Sequence, residues 1–295
     1  MEIREPAKGK IGAEVRLGSR PLDSTEDACR TIKDLVYRHR LVVLPGLNLQ
    51  AQEYVAFARK FGTPQVYFQG HYHHPEHPEI FVSSNVPYKG EKFGVSGTGR
   101  YWHTDYQFFE QPLPLTMLYP QAFALKSRET SYIDMSMVLQ RLPAALRRGV
   151  EGVRAQHDAK LRYKVQATDI DKSIAELLAE VAQLIPPVWH PAIVEHPATG
   201  ESILYMSPGF TTALEGLDYE TNRTFLADLF EFVTRPEHIH TQYWKDGDIL
   251  LWDNRSLIHK ASPNPAGEPS VSFRIGIYDQ LPFYRGLQPS DGIKS

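Results

Sequence analysis

The stretch Tyr101-Trp102-His103-Thr104-Asp105 lies within an aromatic run, residues 100–109, that has the character of a β-strand. Side chains two positions apart on a strand point to the same face, so this run predicts that His103 and Asp105 face a common interior. An ionised carboxylate buried there needs a cationic partner or a metal ion. The stretch therefore predicts both a strand of the fold and one side of a metal site.

Outward from this stretch the chain consists mainly of short β-like runs separated by Pro and Gly. These runs cover residues 11–15, 41–44, 80–84, 115–123, 130–135, 190–196, 202–206, 248–252 and 271–278. Helical patterns cover residues 24–38 and 50–61, with helical insertions near 172–184 and 219–234. Many short strands with turns between them predict a β-sandwich or jelly roll with flanking helices, and not a parallel α/β sheet. With no repeat or linker in sight, we expect one domain over residues 1–295.

Composition narrows the classes of partner. The chain has 295 residues, 42% of them hydrophobic, and a formal net charge of −3 without a basic stripe, which argues against nucleic-acid binding and favours a small-molecule substrate. The single cysteine, Cys29, excludes an internal disulfide and lies in a helical pattern, where we expect it to pack. No export signal or membrane-spanning run is evident, so we expect a cytoplasmic protein that does not enter a membrane. The sequence carries no pattern that predicts the oligomeric state.

A second motif supplies a further donor for the metal site. The segment Trp252-Asp253-Asn254-Arg255-Ser256-Leu257-Ile258-His259 ends on a histidine after an apolar approach. Alone, a His-x-Asp pair or a single distant histidine is more often structural. Together, two imidazoles and one carboxylate form the facial triad of non-haem Fe(II) oxygenases, which leaves coordination positions for a co-substrate and O2. His103, Asp105 and His259 are therefore the predicted metal ligands and catalytic centre.

Arg274 is the predicted anion-binding residue of the same site. It lies on a strand whose other face carries Phe273, Ile275 and Ile277, so its guanidinium points to the interior and needs an anion there. The co-substrate 2-oxoglutarate would supply this anion at its end remote from the metal. The charges of Fe(II), Asp105, 2-oxoglutarate and Arg274 would then sum to zero, as a dry pocket requires.

These residues resemble the TauD/TfdA family of Fe(II)/2-oxoglutarate dioxygenases, whose Trp-Asp-Asn-Arg segment is matched letter for letter at residues 252–255. The resemblance extends from about residue 11 to 278 and implies a double-stranded β-helix (jelly roll) core. It also implies that His103, Asp105 and His259 bind Fe(II), that Arg274 binds the distal carboxylate of 2-oxoglutarate, and that the hydroxyl of Thr130 contacts the same co-substrate. Many members carry a second arginine four residues before Arg274, where this chain has Ser270.

A second resemblance concerns the substrate. Residues 72–84, YHHPEHPEIFVSS, and the His157-Asp158 segment leading to Lys164 are similar to the ScoE-like dioxygenases that form the isonitrile of isonitrile lipopeptides. The likeness implies oxidation and decarboxylation of a (3R)-3-[(carboxymethyl)amino] fatty acid to a (3R)-3-isocyano fatty acid. Two turnovers of 2-oxoglutarate and O2 would be consumed.

A substrate with two carboxylates and an amine needs cationic and hydroxyl side chains in its pocket. The residues that we expect to bind it are Tyr67, Tyr72, Lys164 and Arg128. Arg128 shares strand parity with Thr130, so both can lie on one face. Lys164 stands between charged neighbours, Lys160 and Arg162, which also allows an ordinary surface position.

Three alternatives stay open on the sequence. The histidines of residues 71–77 fit a rigid polar turn or a second metal site, and the glycine-rich residues 90–99 fit a surface loop or an active-site lid. For function, the first alternative is a TauD-like hydroxylase of another small carboxylate or sulfonate. The second, from another class, is a non-catalytic jelly-roll protein that binds a metal or ligand.

Overall fold

The computed structural model describes residues 1–18, 23–123, 128–165 and 169–290. Its strands are β1 Glu2–Arg4, β2 Ala13–Arg16, β3 Leu41–Leu44, β4 Thr63–Gln65, β5 Phe81–Ser84, β6 Leu115–Ala122, β7 Glu129–Asp134, β8 Arg154–His157, β9 Val188–Pro191, β10 Ile193–Glu195, β11 Ser202–Leu204, β12 Thr211–Leu214, β13 Ile239–Tyr243, β14 Ile249–Asp253, β15 Leu257–Ala261 and β16 Val271–Tyr278. Its helices are α1 Glu26–His39, α2 Ala51–Ala58, α3 Met135–Arg141, α4 Ala144–Val150, α5 Ile174–Leu184 and α6 Tyr219–Val233.

Two sheets form the centre of the fold. The larger has the order β1-β2-β3-β14-β6-β16-β4, with β5 also paired to β16, and the smaller has the order β13-β7-β15. Side chains from both sheets pack together in one cluster: Leu118, Tyr132, Trp252 and Leu257. Within the described residues the sheets stay open and close no barrel. The predicted mainly β fold with flanking helices and a jelly-roll core is confirmed, while the single domain over residues 1–295 stays a prediction.

Helix α1 illustrates how the sequence covers the outer face of the larger sheet. Its N-cap is Thr25, whose hydroxyl accepts a hydrogen bond from the Ala28 amide at 3.2 Å, so the helix starts one residue later than the predicted Ser24 start. The spacing of Ile32, Leu35 and Val36 places them on one face, where they are buried in the same core cluster as the apolar side chains of β3. Burial of this stripe fixes the helix against the sheet.

The predicted strand over residues 100–109 is wrong. The segment is a series of turns, and only His103 makes a β-bridge, to His259, with reciprocal backbone hydrogen bonds of 3.0 and 2.7 Å. Positive backbone φ angles of 67° at Gly99 and 54° at Tyr106 interrupt any strand. His103 is therefore a bridge residue and Asp105 the first residue of the turn that follows, and no continuous strand runs through both.

Other elements differ in extent from the predictions. The predicted strand 190–196 divides into β9 and β10, which pair with different partners, β8 and β11. Helix α2 ends at Ala58, three residues before the predicted end. The predicted insertions correspond to α5 and α6. The elements that the sequence did not predict are short: β1, β4, β8, β12, β13, β15, α3 and α4.

The Arg255 side chain of the Trp-Asp-Asn-Arg segment stabilises the fold. Its guanidinium donates to both carboxylate oxygens of Asp279, at 2.8 and 3.0 Å, and to the Phe283 carbonyl at 2.8 Å. Asp279 also accepts the Tyr37 hydroxyl of α1 at 2.7 Å. Fully buried arginine is tolerated because each of its charged groups is paired and hydrogen-bonded. The segment therefore joins the C-terminal end of β16 to helix α1.

Candidate metal centre and active site

His103, Asp105 and His259 come together at one buried point between the sheets. Their side chains are 5%, 2% and 5% exposed, and one ligand atom from each lies within 4.8 Å of the others. The His103 Nε2 atom is 3.6 Å from Asp105 Oδ1, and His259 Nε2 is 3.9 Å from Asp105 Oδ2. Such a set of two imidazole nitrogens and one carboxylate can hold an iron(II) ion on one face.

The Nε2 atoms of both histidines lie next to the Asp105 carboxylate, where they could bind a metal ion. His103 Nδ1 lies 2.8 Å from the Tyr101 carbonyl and donates to it, which leaves Nε2 free for a metal. Burial, together with the nearby His103, holds the pKa of His259 well below its ordinary value. His259 therefore stays neutral, the form that binds metals.

Asp105 is ionised although it is buried. Burial would raise its pKa, but Arg274 and the two histidines outweigh that effect and hold the pKa well below its ordinary range. Arg274 Nη1 lies 2.5 Å from Asp105 Oδ1, and the Thr116 hydroxyl donates to Asp105 Oδ2 at 2.7 Å. The carboxylate is thus available as an anionic ligand.

Glycine is favoured at position 99, next to His103. A Cβ atom there would lie 3.2 Å from Cε1 of the His103 ring, and the φ of 67° is unfavourable for other residues. Thr98 and Gly99 line both cavities described below, so the predicted loop 90–99 borders the site. This position suits the lid interpretation, and its motion stays a prediction.

Two cavities open on the three ligands. We call the first the inner cavity; it lies between the two sheets and includes Leu118 of β6, Thr130 of β7, Trp252 of β14 and His259 of β15. We call the second the outer cavity; it lies between the ligands and helix α5, and its lining includes Tyr67, Tyr72, Lys164, Val181 and Ile185. Arg274 lines both cavities, because it stands at their junction beside Asp105.

Arg128 lies in the inner cavity and not with the predicted substrate residues. It shares that cavity with Thr130, as their strand parity predicted, and its guanidinium carbon lies 4.6 Å from the Trp244 ring centre. The side chain is buried; Nη1 donates to the Ser262 carbonyl at 2.6 Å, and Nε has no hydrogen-bond partner. Burial and the nearby Arg100 lower the pKa of Arg128 to about 10. The described lining of the inner cavity thus includes the buried cation Arg128 and no carboxylate, an arrangement that favours binding of an anion.

Arg274 lies beside Asp105 in this structure, and its predicted role at the distal carboxylate of 2-oxoglutarate stays a prediction. Its guanidinium forms an ion pair with the metal-ligand carboxylate of Asp105 and lies 4.1 Å from the Phe81 ring centre. The reason is the register of β16, in which Arg274 pairs with Leu118 on one side and Phe81 on the other. It can contact a ligand in either cavity next to the metal.

Tyr67, Tyr72 and Lys164 lie together in the outer cavity. The Tyr67 ring stacks on Tyr106 at 5.3 Å, and burial raises the pKa of Tyr67 well above its ordinary value, so its hydroxyl is a proton donor. Lys164 Nζ donates to the carbonyls of Ser96 and Gly97, at 2.7 and 3.0 Å. Of the four predicted substrate residues, these three are brought together and Arg128 is separate.

The histidine run forms a turn. The Glu76 amide donates to His74 Nδ1 at 3.2 Å, and the His74 ring packs edge-on against Phe93 and Phe273. Among the residues that the structure describes, His103, Asp105 and His259 form the one group of three potential metal ligands. For the described residues, the histidine run therefore fits the predicted polar turn better than a second metal site.

The sequence missed several side chains of the site. Arg162 lines the outer cavity with its guanidinium carbon 4.4 Å from the Tyr101 ring centre, and Trp244 covers Arg128 in the inner cavity. Thr116 contacts Asp105 directly. None of the three lies in a motif, and only their approach in the folded chain reveals them.

No helix in the described ranges is both long and apolar enough to cross a bilayer.

Comparison with known proteins decides the family. The profile of the family described as "Taurine catabolism dioxygenase TauD, TfdA family" matches residues 3–275. The chain belongs to the TauD/TfdA family. A taurine dioxygenase from Burkholderia xenovorans has a similar structure, with a TM-score of 0.74 and 25% identity, covering 95% of this chain and 89% of that one.

Similar TauD/TfdA relatives act on different compounds. The 2,4-dichlorophenoxyacetate dioxygenase of Cupriavidus pinatubonensis is 29% identical over 81% of this chain and 84% of the relative. The sulfate ester dioxygenase of Pseudomonas putida is 26% identical over 94% and 89%. Pentalenolactone F synthase of Streptomyces arenae is 28% identical over 95% and 96%.

This TauD/TfdA member is an Fe(II)/2-oxoglutarate-dependent dioxygenase that acts on a small molecule. Its cofactor is Fe(II), and its co-substrates are 2-oxoglutarate and O2. The donor set fits the ion, since two imidazole side chains and one ionised carboxylate converge in a buried site with open space beside them. His103, Asp105 and His259 would hold the iron.

Proposed function

We propose that this dioxygenase converts a (3R)-3-[(carboxymethyl)amino] fatty acid to the (3R)-3-isocyano fatty acid used in isonitrile lipopeptide biosynthesis. The main support is the charge of the outer cavity. Its lining includes three cations, Arg162, Lys164 and Arg274, while Asp105 is the one carboxylate among its described lining residues. A substrate with two carboxylates is suited to such a surplus of positive charge.

The remaining walls of the outer cavity suit the rest of such a substrate. The hydroxyls of Tyr67 and Tyr72 border the space beside the metal ligands and can contact the amine or a carboxylate. The wall formed by α5 is apolar, with Val181, Leu184 and Ile185 facing the cavity. We propose that the acyl chain lies along this wall while the carboxymethylamino end faces the iron.

We propose that Arg128 and Thr130 bind the distal carboxylate of 2-oxoglutarate in the inner cavity. Arg128 supports this role because it is a buried cation with an unpartnered Nε, and it lines the same cavity as Thr130. Arg128 and Ser270 border one small polar recess, so Arg128 can supply the charge that the family's second arginine would bring at position 270. Fe(II), Asp105, 2-oxoglutarate and Arg128 then sum to zero charge.

With Arg128 in that role, Arg274 is available next to the metal. We propose that it contacts the substrate carboxylate that is lost, or the inner end of 2-oxoglutarate, because its guanidinium lies within 2.5 Å of the ligand Asp105. A fixed fork of N–H donors also limits how the substrate can rotate. The carboxymethyl CH2 would thereby stay directed at the iron.

The overall reaction removes four electrons from the substrate. The R–NH–CH2–COOH group loses four hydrogens and CO2 to give R–N≡C, while two O2 and two 2-oxoglutarate become two water, two succinate and two further CO2. Iron supplies the oxidation chemistry when it is bound, and the chain's side chains select which C–H and N–H bonds are exposed to it. We also propose that the enzyme works in the cytoplasm.

The product distinguishes this proposal from hydroxylation of another small carboxylate. The enzyme is reconstituted anaerobically with Fe(II) and 2-oxoglutarate, mixed with 3-[(carboxymethyl)amino]butanoate, and exposed to O2. We expect mass spectrometry to detect 3-isocyanobutanoate together with succinate. A product that retains the carboxymethyl carboxylate and gains one oxygen would contradict the proposal and favour the hydroxylase. Absence of any succinate above a metal-free control would count against this substrate altogether.

Lys164→Gln is expected to raise the KM for the carboxymethylamino substrate while the KM for 2-oxoglutarate stays near its wild-type value. The reason is that Lys164 lines the outer cavity, and burial beside Arg100 lowers its pKa, which an anionic ligand would reverse. The matched control is Lys160→Gln, because Lys160 is paired with Asp158 at 3.2 Å. Equal changes in both variants would remove Lys164 from the substrate site.

A further inference from the structure

A line of buried hydrogen bonds connects the Trp-Asp-Asn-Arg segment to the metal-ligand carboxylate. The Trp252 indole Nε1 donates to Asn254 Oδ1 at 2.8 Å, and Asn254 Nδ2 donates to Thr116 Oγ1 at 2.8 Å. Thr116 Oγ1 then donates to Asp105 Oδ2 at 2.7 Å. Each of these four residues is at most 2% exposed, so water does not compete for the bonds.

The direction of every bond in this line follows from the first donor. An indole N–H can only donate, so the Asn254 oxygen must face Trp252 and its amide nitrogen must face Thr116. The Thr116 oxygen therefore accepts from Asn254, and its single proton is directed to Asp105. Asp105, held in its ionised form, can only accept. The line is thus polarised from the indole to the carboxylate without an alternative arrangement.

The backbone arrangement fixes the members of the line relative to one another. Thr116 on β6 is the direct cross-strand partner of Trp252 on β14. Its neighbours, Leu115 and Met117, are buried in the core on the opposite face of the sheet, so the Thr116 hydroxyl faces the site. The Thr104 hydroxyl donates to the Asn254 carbonyl at 2.7 Å, which joins the turn that carries Asp105 to the same residue.

We propose that Thr116 and Asn254 are positioning residues of the iron centre, which fix the carboxylate plane of Asp105 and counter its pairing with Arg274. Asp105 is the first residue of a turn, just after the isolated bridge at His103, so no strand pairing of its own holds it in place. Arg274 holds Oδ1 and Thr116 holds Oδ2, from two strands of the larger sheet. The role is independent of the substrate and rests only on the metal site.

Thr116→Val tests this role, because valine keeps the shape of threonine and removes the hydroxyl. Loss of a hydrogen-bonding group behind a metal ligand typically weakens metal binding about 10–100-fold, so we expect the Kd for Mn(II) to rise by that factor. The measurement is calorimetric titration of the full chain with Mn(II), without 2-oxoglutarate. Thr116→Ser, which keeps the hydroxyl, is expected to restore the affinity.

The control is Thr211→Val, which removes another buried hydroxyl, bonded to the Ser207 amide at 2.9 Å and located on β12. It is expected to bind Mn(II) as the wild type does. Wild-type affinity in a folded Thr116→Val variant would overturn the proposal. Asp105→Ala is expected to abolish Mn(II) binding, which would show that the metal binds at Asp105. This variant therefore distinguishes an error in the role of Thr116 from an error in the location of the metal site.

Asn254→Leu provides a second variant that leaves the Thr116 hydroxyl in place but no longer directs its proton. We expect a weaker Mn(II) affinity in this variant. If the line acts as a unit, the double variant Thr116→Val/Asn254→Leu binds Mn(II) no more weakly than Thr116→Val alone. If the losses of Mn(II) affinity in the two single variants add up in the double variant, Asn254 does not act through Thr116.

Discussion

Asp105→Ala is expected to reduce succinate formation to the level of a metal-free control, which is the largest effect that we anticipate for a single substitution. Asp105 is the anionic member of the three predicted ligands, and the two histidines without a carboxylate form a much weaker site for Fe(II). Its removal also leaves Arg274 without the carboxylate that it contacts at 2.5 Å. The uncompensated guanidinium would repel the metal ion.

Two quantities are measured: succinate release with all substrates at saturating concentration, and the binding of Mn(II). Circular dichroism and thermal unfolding establish whether the variant is folded. The control is Asp248→Ala, which removes a buried carboxyl far from the ligands, in a groove beside Lys245. Near-normal turnover of Asp105→Ala would exclude Asp105 from the triad.

Arg128→Gln is expected to raise the KM for 2-oxoglutarate about 10–150-fold, since a charge-assisted hydrogen bond contributes roughly 1.5–3 kcal/mol. At saturating 2-oxoglutarate, kcat is expected to change much less, because Arg128 does not contact the metal ligands. The reason lies in its position, buried in the inner cavity beside Thr130 with Nε unpartnered. Steady-state kinetics with 2-oxoglutarate as the varied substrate provide the measurement.

Arg100→Gln is the matched control for Arg128. It removes one positive charge from the same neighbourhood, but Arg100 is exposed and lines only the adjacent recess. A long-range effect of charge would affect both variants, whereas direct contact with 2-oxoglutarate would affect only Arg128→Gln. An unchanged KM for 2-oxoglutarate in Arg128→Gln would show that the distal carboxylate binds to Arg274 or to another residue, and not to Arg128.

The sequence predicted His103, Asp105 and His259 as metal ligands from their chemistry, and the structure brings these three side chains together, although the predicted strand is absent. His103 and Asp105 were predicted to lie on a strand over residues 100–109, but the structure has only a bridge at His103 and a turn that begins at Asp105. The turn is held by contacts with residues far along the chain, such as the bridge to His259 and the bond from Thr104 to Asn254. Local patterns do not contain such contacts.

Local sequence patterns also could not predict which cavity each cationic side chain would line. Parity correctly placed Arg128 with Thr130, but it did not indicate which cavity the face of β7 would border. That depends on β7 lying between β13 and β15, and β13 is a polar strand that the sequence did not reveal. Thr116 was missed for a simpler reason, because a single threonine in an apolar strand is usually explained by β-propensity.

The most direct test of the whole account is the ratio of succinate to isonitrile in the reaction with 3-[(carboxymethyl)amino]butanoate. Succinate is measured by chromatography and isonitrile by mass spectrometry against standards, with subtraction of succinate formed without substrate. We expect two succinates for each isonitrile, since four electrons are removed in two oxidations at one iron centre. One succinate for each product molecule, or succinate without isonitrile, would contradict it.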